Sequence, residues 1–302
     1  MRKNVLPCAP HVLCYDDSRD GWNCKLVSEN ESPDGLLFFC LMLLSEGETI
    51  ICYSLRVKTQ FMKFIMEIRK NIIDSHDRVW DELAKPGAIL SGEERIAVVR
   101  EVRAARDCRF CIENKRSLGL SPALGEHDSV DPNFPRARLD LIHRLMNDPG
   151  RISRAWVENL RAEGVGDVEY VEIAGLVSSV CVVDTFCQAL GLTPRPLPKA
   201  IPGQSNYKRP ATAEDEGAYV PMIAVDRLQD DYSDLYDSNY WVPNVHRAFS
   251  LVPDVVRLAD DLMESHYFPY ESVPRYADEN HDYAISKTQM ELIASRVSFN
   301  ND

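Results

Sequence analysis

The chain has 302 residues, with 34 Lys+Arg against 47 Asp+Glu for a formal net charge of −13, and 45% of its residues are apolar. Such a length allows about two domains of roughly 100–200 residues with real cores, and the composition excludes disorder and a collagen-like repeat. No basic stripe is present to release phosphate counterions, so neither nucleic acid nor an anionic membrane surface is an expected partner.

At the N-terminus, Arg2 and Lys3 are followed by no sustained apolar region before Asp16 and Asp17, which argues against a secretory signal and for a cytoplasmic location. The apolar stretch through Leu37 to Leu44 falls far short of the ~20 residues that cross a bilayer, so no membrane partner is expected. Nine cysteines are an odd count for a disulfide framework, and a chain of this size needs no staples. Five of them, Cys8, Cys14, Cys24, Cys40 and Cys52, crowd into the first 52 residues. Residues 1–61 lack a helical repeat; the apolar run before Ser45 and the β-rich Thr49 to Val57 would at best make a hairpin. They read either as a small appendage or as a segment ahead of a natural start near Met62 or Met66.

Helical spacing then begins. Phe61, Ile65, Ile68, Ile72 and Ile73 recur at threes and fours, and Val79 and Leu83 continue to a stop at Lys85-Pro86-Gly87. Ser91 followed three residues later by Glu94 is a capping box, opening a helix with Ile96, Val99, Val102 and Ala105 on its apolar face. Further helices fit 137–147, 150–163 and 168–190, the last almost wholly apolar and therefore central. Six prolines between 192 and 222 break the pattern, and the acidic, tyrosine-rich Asp226 to Trp241 extends a long loop. Helical pattern resumes at 243–264 and 285–299. A repeat is visible: Ile142-His143-Arg144 with Pro149 answers Val245-His246-Arg247 with Pro253, and Glu172, Val177 and Ser178 lie 119 or 120 residues before Glu291, Val297 and Ser298. The expected fold class is all-α, in two related units.

The strongest chemical signal is Cys108-Arg109-Phe110-Cys111. Spaced by three on a helix, both sulfurs share one face, and thiol–disulfide exchange needs that proximity together with a lowered pKa on the attacking thiol. Arg103, Arg106 and Arg109 would favour a thiolate. The same residues could instead be two small buried side chains, or half a zinc site. Cys181 and Cys187 could complete such a site, but they face different sides of one helix, so no metal is expected.

The run from Trp80-Asp-Glu-Leu-Ala through Pro86-Gly87 and Ser91-Gly92-Glu93-Glu94-Arg95 to Cys108-Arg-Phe-Cys111, with His143-Arg144, Asp148-Pro149, Glu169-Tyr170-Val171-Glu172 and Pro243-Asn244-Val245-His246-Arg247 to Pro253, resembles the carboxymuconolactone decarboxylase and alkylhydroperoxidase D-like (AhpD-like) superfamily, particularly its peroxidase-related members. The resemblance covers about 66–302. It implies an AhpD-like helical bundle of two units, the second incomplete: an N-terminal extension at 1–61, a CxxC unit at 62–191, a Pro-rich and acidic linker at 192–241 and a second unit at 242–302. The family motif is a Glu, a CxxC twelve positions later and a His four positions after the second Cys. The second Cys attacks peroxide, the first resolves it as a disulfide, and Glu and His relay protons.

By that resemblance Cys108 and Cys111 are the thiol pair. Position 115 is Lys rather than His, and the candidate relay carboxylates, Glu94 and Glu101, lie fourteen and seven positions before Cys108 instead of twelve. Glu94 also has a capping role and Glu101 a solvated-face reading. In the middle helix Glu172 is in register, but its CxxC slot holds Asp184 and Cys187, so this unit looks catalytically decayed; Glu172 and Asp184 could pair within the helix cluster, and Cys187 could sense oxidants only if exposed. Twelve positions after Glu291 is residue 303, where the motif places its first Cys. One reading is that the natural product continues past 302 through an in-frame UGA read as selenocysteine; the other is a real terminus. The resemblance implies thiol-dependent reduction of alkyl hydroperoxides with a thioredoxin-like or dithiol reductant, no cofactor and a homo-oligomer. Two alternatives stand beside it: a decayed helical scaffold or binding protein, and a cysteine-independent carboxymuconolactone decarboxylase-like lyase.

Overall fold

The structure, a computed structural model, describes the backbone of 5–9, 12–17 and 21–26 and residues 68–116, 126–228, 232–236, 242–267 and 283–301. The expected hairpin between 36 and 57 and the first turns of the helix expected from Phe61 lie outside the described residues. Two compact units are distinguished, one of residues 1–68 with 186–194 and one of 69–185 with 195–302. The described chain is mostly helical, in keeping with the expected class.

In the first unit β1 (Val5–Ala9), β2 (Val12–Asp17) and β3 (Gly21–Leu26) form an antiparallel sheet in that order, with Cys14 opposite Leu6 on one side and Cys24 on the other. No sheet is expected there from the sequence. The turn residues are nonetheless present, Asp17-Ser18-Arg19-Asp20-Gly21 between β2 and β3, and Pro7 sits on an edge strand, where a missing amide does least harm.

Nine helices are found among the described residues: α1 (Lys70–Leu83), α2 (Gly92–Ala105), α3 (Arg109–Arg116), α4 (Arg136–Asn147), α5 (Arg154–Ala162), α6 (Asp167–Ala189), α7 (Asn244–Arg247), α8 (Pro253–His266) and α9 (Lys287–Asn301); all belong to the second unit except the last residues of α6, from Phe186 on, which are assigned to the first. The capping box forms as read: Ser91 Oγ accepts from the Glu94 amide at 3.2 Å, and Glu94 Oε2 accepts from the Ser91 amide at 2.9 Å. One core gathers Val79, Trp80 and Leu83 of α1, Val98, Val99 and Val102 of α2, Leu141 and Ile142 of α4, and Ile173 to Val183 of α6. α2 packs along α4, and α1 along α8.

α6 is long and apolar enough to cross a membrane by length and composition, with mean hydropathy 1.6 over its best window, and 61% of that window is buried inside the chain. Burial of most of its surface is one physical reason for a helix this apolar. It ends at Gly191, whose φ of 63° is the left-handed conformation in which glycine carries no Cβ penalty, and the Leu192 amide bonds back to the Cys187 carbonyl at 2.7 Å.

The Pro-rich segment is stitched to the helices one bond at a time. The Pro196 carbonyl accepts from the Trp80 indole at 2.8 Å, the Ile201 amide donates to the Ala84 carbonyl at 2.7 Å, and the Tyr207 hydroxyl donates to the Leu251 carbonyl at 2.8 Å. Two two-residue strands, β4 (Ala213–Glu214) and β5 (Met222–Ile223), close it. The pattern expected as one helix over 243–264 is two, because Leu251 and Val252 turn inward to be buried and Pro253 supplies the first residue of α8.

Candidate functional site

Cys108 lies in the turn that ends α2, and its carbonyl accepts the Ile112 amide at 3.0 Å, making it the residue that opens α3. Cys111 follows one turn on. α3 is fixed at its far end, where Asn114 donates to Asp148 and Arg151 donates to the Asn114 carbonyl at 2.6 Å. Both sulfurs are free and buried, Cys108 fully and Cys111 at 6% exposure.

Two histidines complete the cluster. His127 Nδ1 lies 3.3 Å from Cys111 Sγ and 3.9 Å from Cys108 Sγ, while His143 Nδ1, on α4, lies 3.4 Å from Cys111 Sγ. The four ligand atoms all fall within 4.8 Å of one another. Behind His127, Nε2 donates to Asp140 Oδ1 at 3.1 Å, and Asp140 Oδ2 accepts the Trp156 indole N–H at 2.6 Å. That carboxylate fixes the His127 tautomer, leaving the Nδ1 lone pair toward the sulfurs. His143 Nε2 is buried with no hydrogen-bond partner among the described residues.

The electrostatics follow from these contacts. Burial opposes ionisation of Cys108, but the Cys111 and Asp128 amides and His127 outweigh it and hold its pKa below the usual thiol value. Burial pushes the Cys111 thiol up to about 12, with Cys108 adding to the effect. For His127 the burial penalty is overcome by Asp140 and Cys108, and its pKa is raised; burial and the neighbouring His127 press His143 down to about 4. The cluster therefore pairs one thiol poised to ionise with one held neutral, and one imidazole that welcomes a proton with one that refuses it.

The other residues singled out from the sequence take different places. Glu101 is fully buried, and its Oε1 accepts from the Ser129 hydroxyl at 2.8 Å and from the Val130 and Asp131 amides at 3.2 Å each. It is no solvated-face residue; it anchors the loop that carries His127. Glu94 keeps its capping role and also accepts from Arg138 at 3.1 Å. Glu172 accepts from the Ile89 and Leu90 amides at 2.7 and 3.2 Å with Arg95 at 3.8 Å, so it shapes the turn before α2. Asp184 is held by a two-pronged Arg103 at 2.8 and 2.9 Å. The pairing considered between Glu172 and Asp184 does not form, since twelve residues along one helix separate them by about 18 Å, and each has a structural role instead.

Two of the three arginines expected to favour a thiolate are paired with carboxylates. Arg103 is committed to Asp184 and Arg109 to Asp128 at 3.3 Å. Cys187 is buried, which removes the exposed oxidant sensor, and Glu291 is exposed on α9 beside exposed Leu292 and Ile293. The partners of the CxxC are His127 and His143, in place of the Cys181 and Cys187 considered from sequence. His143, noted in the sequence within the repeat and the family resemblance, faces Cys111 from α4. His127, Asp140 and Trp156 went unread, although a signal was available: Cys111, His127 and His143 are evenly spaced by sixteen residues. No known protein family, curated protein or solved structure matches the chain.

Proposed function

We propose that the chain is a thiol-dependent peroxidase-related protein whose redox centre is the Cys108–Cys111 dithiol. The observation that carries this reading is one imidazole, His127, placed within reach of both sulfurs and backed by Asp140. Cys108, at the N-terminus of α3 and accepting the Asp128 amide at 3.4 Å, is the better thiolate. The Cys108 thiol gives its proton to His127 Nδ1, the sulfur attacks one peroxide oxygen, the O–O bond breaks, and the leaving oxygen takes that proton back from the His127 imidazolium. The sulfenic acid on Cys108 is then attacked by Cys111, water leaves, and a disulfide remains for an external dithiol or thioredoxin-like protein to reduce. This order reverses the roles that the family resemblance assigns to the two cysteines. His127, arriving from a loop, supplies the proton transfer that Lys115 cannot.

Burial of both sulfurs favours hydrogen peroxide over bulky alkyl hydroperoxides. The AhpD-like bundle of two related units is part of the same proposal. It is supported by the parallel settings of His143 and His246, each followed by a proline that opens the next helical turn, Pro149 and Pro253, with His246 Nε2 3.0 Å from Asp260. The test is peroxide consumption by the full chain under dithiothreitol, with Cys108→Ser, Cys111→Ser and the double variant. Turnover lost in each single variant, and a wild-type disulfide between these two residues after one equivalent of peroxide, are expected. Turnover surviving the double variant would end this reading.

A further inference from the structure

The four side chains around the dithiol have the chemistry of a metal site as well as of a redox centre. Tetrahedral zinc with Zn–S near 2.3 Å and Zn–N near 2.0–2.1 Å requires ligand-to-ligand edges of about 3.5 Å for S···N, about 3.4 Å for N···N and about 3.8 Å for S···S. Three of the four S···N separations are 3.3, 3.4 and 3.9 Å, and no two of the four ligand atoms stand more than 4.8 Å apart. The set therefore needs only a small contraction to close on one ion. Two thiolates and two neutral imidazoles around a divalent cation carry no net charge, which suits a buried site. Sulfur and imidazole donors select zinc over magnesium or calcium, whose oxygen ligands are missing from this cluster.

The surroundings are those of a ligand set. His127 donates its remote N–H to Asp140, the arrangement that orients metal-bound histidines, and Asp140 is itself locked by Trp156. The Asp128 amide points at Cys108 Sγ, stabilising a thiolate there. Ligands arrive from three places, the start of α3, the 126–134 loop held by Glu101, and α4, so all open directions of the tetrahedron are filled by protein.

We propose that the reduced chain binds one zinc ion through Cys108 Sγ, Cys111 Sγ, His127 Nδ1 and His143 Nδ1, and that the zinc-bound and disulfide forms exclude each other. Binding rests on the four ligands alone; release rests on the dithiol chemistry proposed above. In that step the two thiolate sulfurs give up two electrons and join as a disulfide. The O–O bond of one hydrogen peroxide breaks, its two oxygens take up two protons from solvent and leave as two waters, and zinc departs as Zn²⁺ unchanged in charge.

The experiment uses the full chain, reduced and stripped of metal under anaerobic conditions, then titrated with Zn²⁺ and with Co²⁺. Expected are one equivalent bound and a tetrahedral Co²⁺ spectrum with a sulfur-to-cobalt charge-transfer band. The Cys108→Ser/Cys111→Ser chain should lose that equivalent, whereas Cys181→Ser should keep it. Asp140→Asn should weaken zinc about 10–100-fold, the range for a partner that orients a ligand. Should a variant misfold, the wild type still decides: Zn²⁺ must slow alkylation of Cys108 and Cys111, mapped by mass spectrometry. No uptake by the reduced wild type, full uptake by the double variant, or an octahedral Co²⁺ spectrum overturns the site. Zinc uptake without any peroxide turnover upholds the site and removes the peroxidase reading; turnover without zinc uptake does the reverse.

Discussion

Glu101 offers the sharpest test of how the loop bearing His127 is held. Its carboxylate is fully buried, and one oxygen accepts three donors, at 2.8, 3.2 and 3.2 Å, all from Ser129, Val130 and Asp131. Bonds to a charged acceptor contribute about 1.5–3 kcal/mol each when measured singly, but these three share one anchor and their donors sit on a loop that water can reach, so Glu101→Ala should cost about 2–4 kcal/mol rather than their sum. Glu101→Gln keeps an acceptor oxygen in the same place and should cost about 1 kcal/mol. Urea unfolding followed by circular dichroism gives both values. The same samples, treated with a thiol reagent under native conditions, should show Cys108 and Cys111 reacting faster in Glu101→Ala as the His127 loop loosens. An Ala variant costing less than about 1 kcal/mol, or one no worse than Gln, would refute the anchoring argument.

Three further outcomes are expected. An added Cβ at Gly87 would stand 1.8 Å from Glu172 Oε1 and 2.6 Å from Arg95 Nη1, so Gly87→Ala must displace the carboxylate from the Ile89 and Leu90 amides and should cost about 2–3 kcal/mol in thermal or urea unfolding. His76 stacks on His266 with their Nε2 atoms 2.8 Å apart. Burial, with His266 and Arg195 adding and Asp77 opposing, lowers the His76 pKa from 6.5 to about 4. Between those values the unfolded chain binds more protons, so stability is complete above the upper value, falls as pH drops from the upper value to the lower, and levels off below it. The loss should be about 1–2 kcal/mol after allowance for partial solvation, and a His76→Gln chain should show a flatter profile of unfolding against pH. Cys187→Ser should leave peroxide consumption within about twofold of wild type, because Cys187 is not one of the four side chains gathered at Cys108, Cys111, His127 and His143; a collapse in rate would move the redox centre onto α6.

Most of the helices were legible because their apolar positions recur at threes and fours and two of their ends carry ordinary punctuation: Ser91 with Glu94, and Lys85-Pro86-Gly87. The break inside 243–264 was hidden because Leu251 and Val252 keep the apolar spacing while serving a turn; only Pro253 hints at it. The N-terminal sheet escaped because three short strands with scattered cysteines show too few alternations to stand out. Within the site, Cys108 and Cys111 were visible as a local motif. Their partners were not, since His127 and His143 reach the sulfurs across a loop and a helix crossing, and local spacing does not encode which faces meet. Glu101 illustrates the same limit from the other side. Beside Arg100 and Arg103 it looks like one more charge on a wet surface, and only the return of the chain at Ser129 to Asp131 reveals why a carboxylate is buried there.

The separation of these side chains along the chain sets an order of events during synthesis. Cys111 leaves the ribosome 32 residues ahead of His143. At about 5–20 residues per second that interval lasts roughly two to six seconds. Through it the thiols of a nascent chain have neither α4 nor Trp156 to cover them, and they meet whatever oxidant or metal the surroundings hold. Under the zinc and disulfide states proposed above, the surroundings during synthesis bear on which state the dithiol enters first.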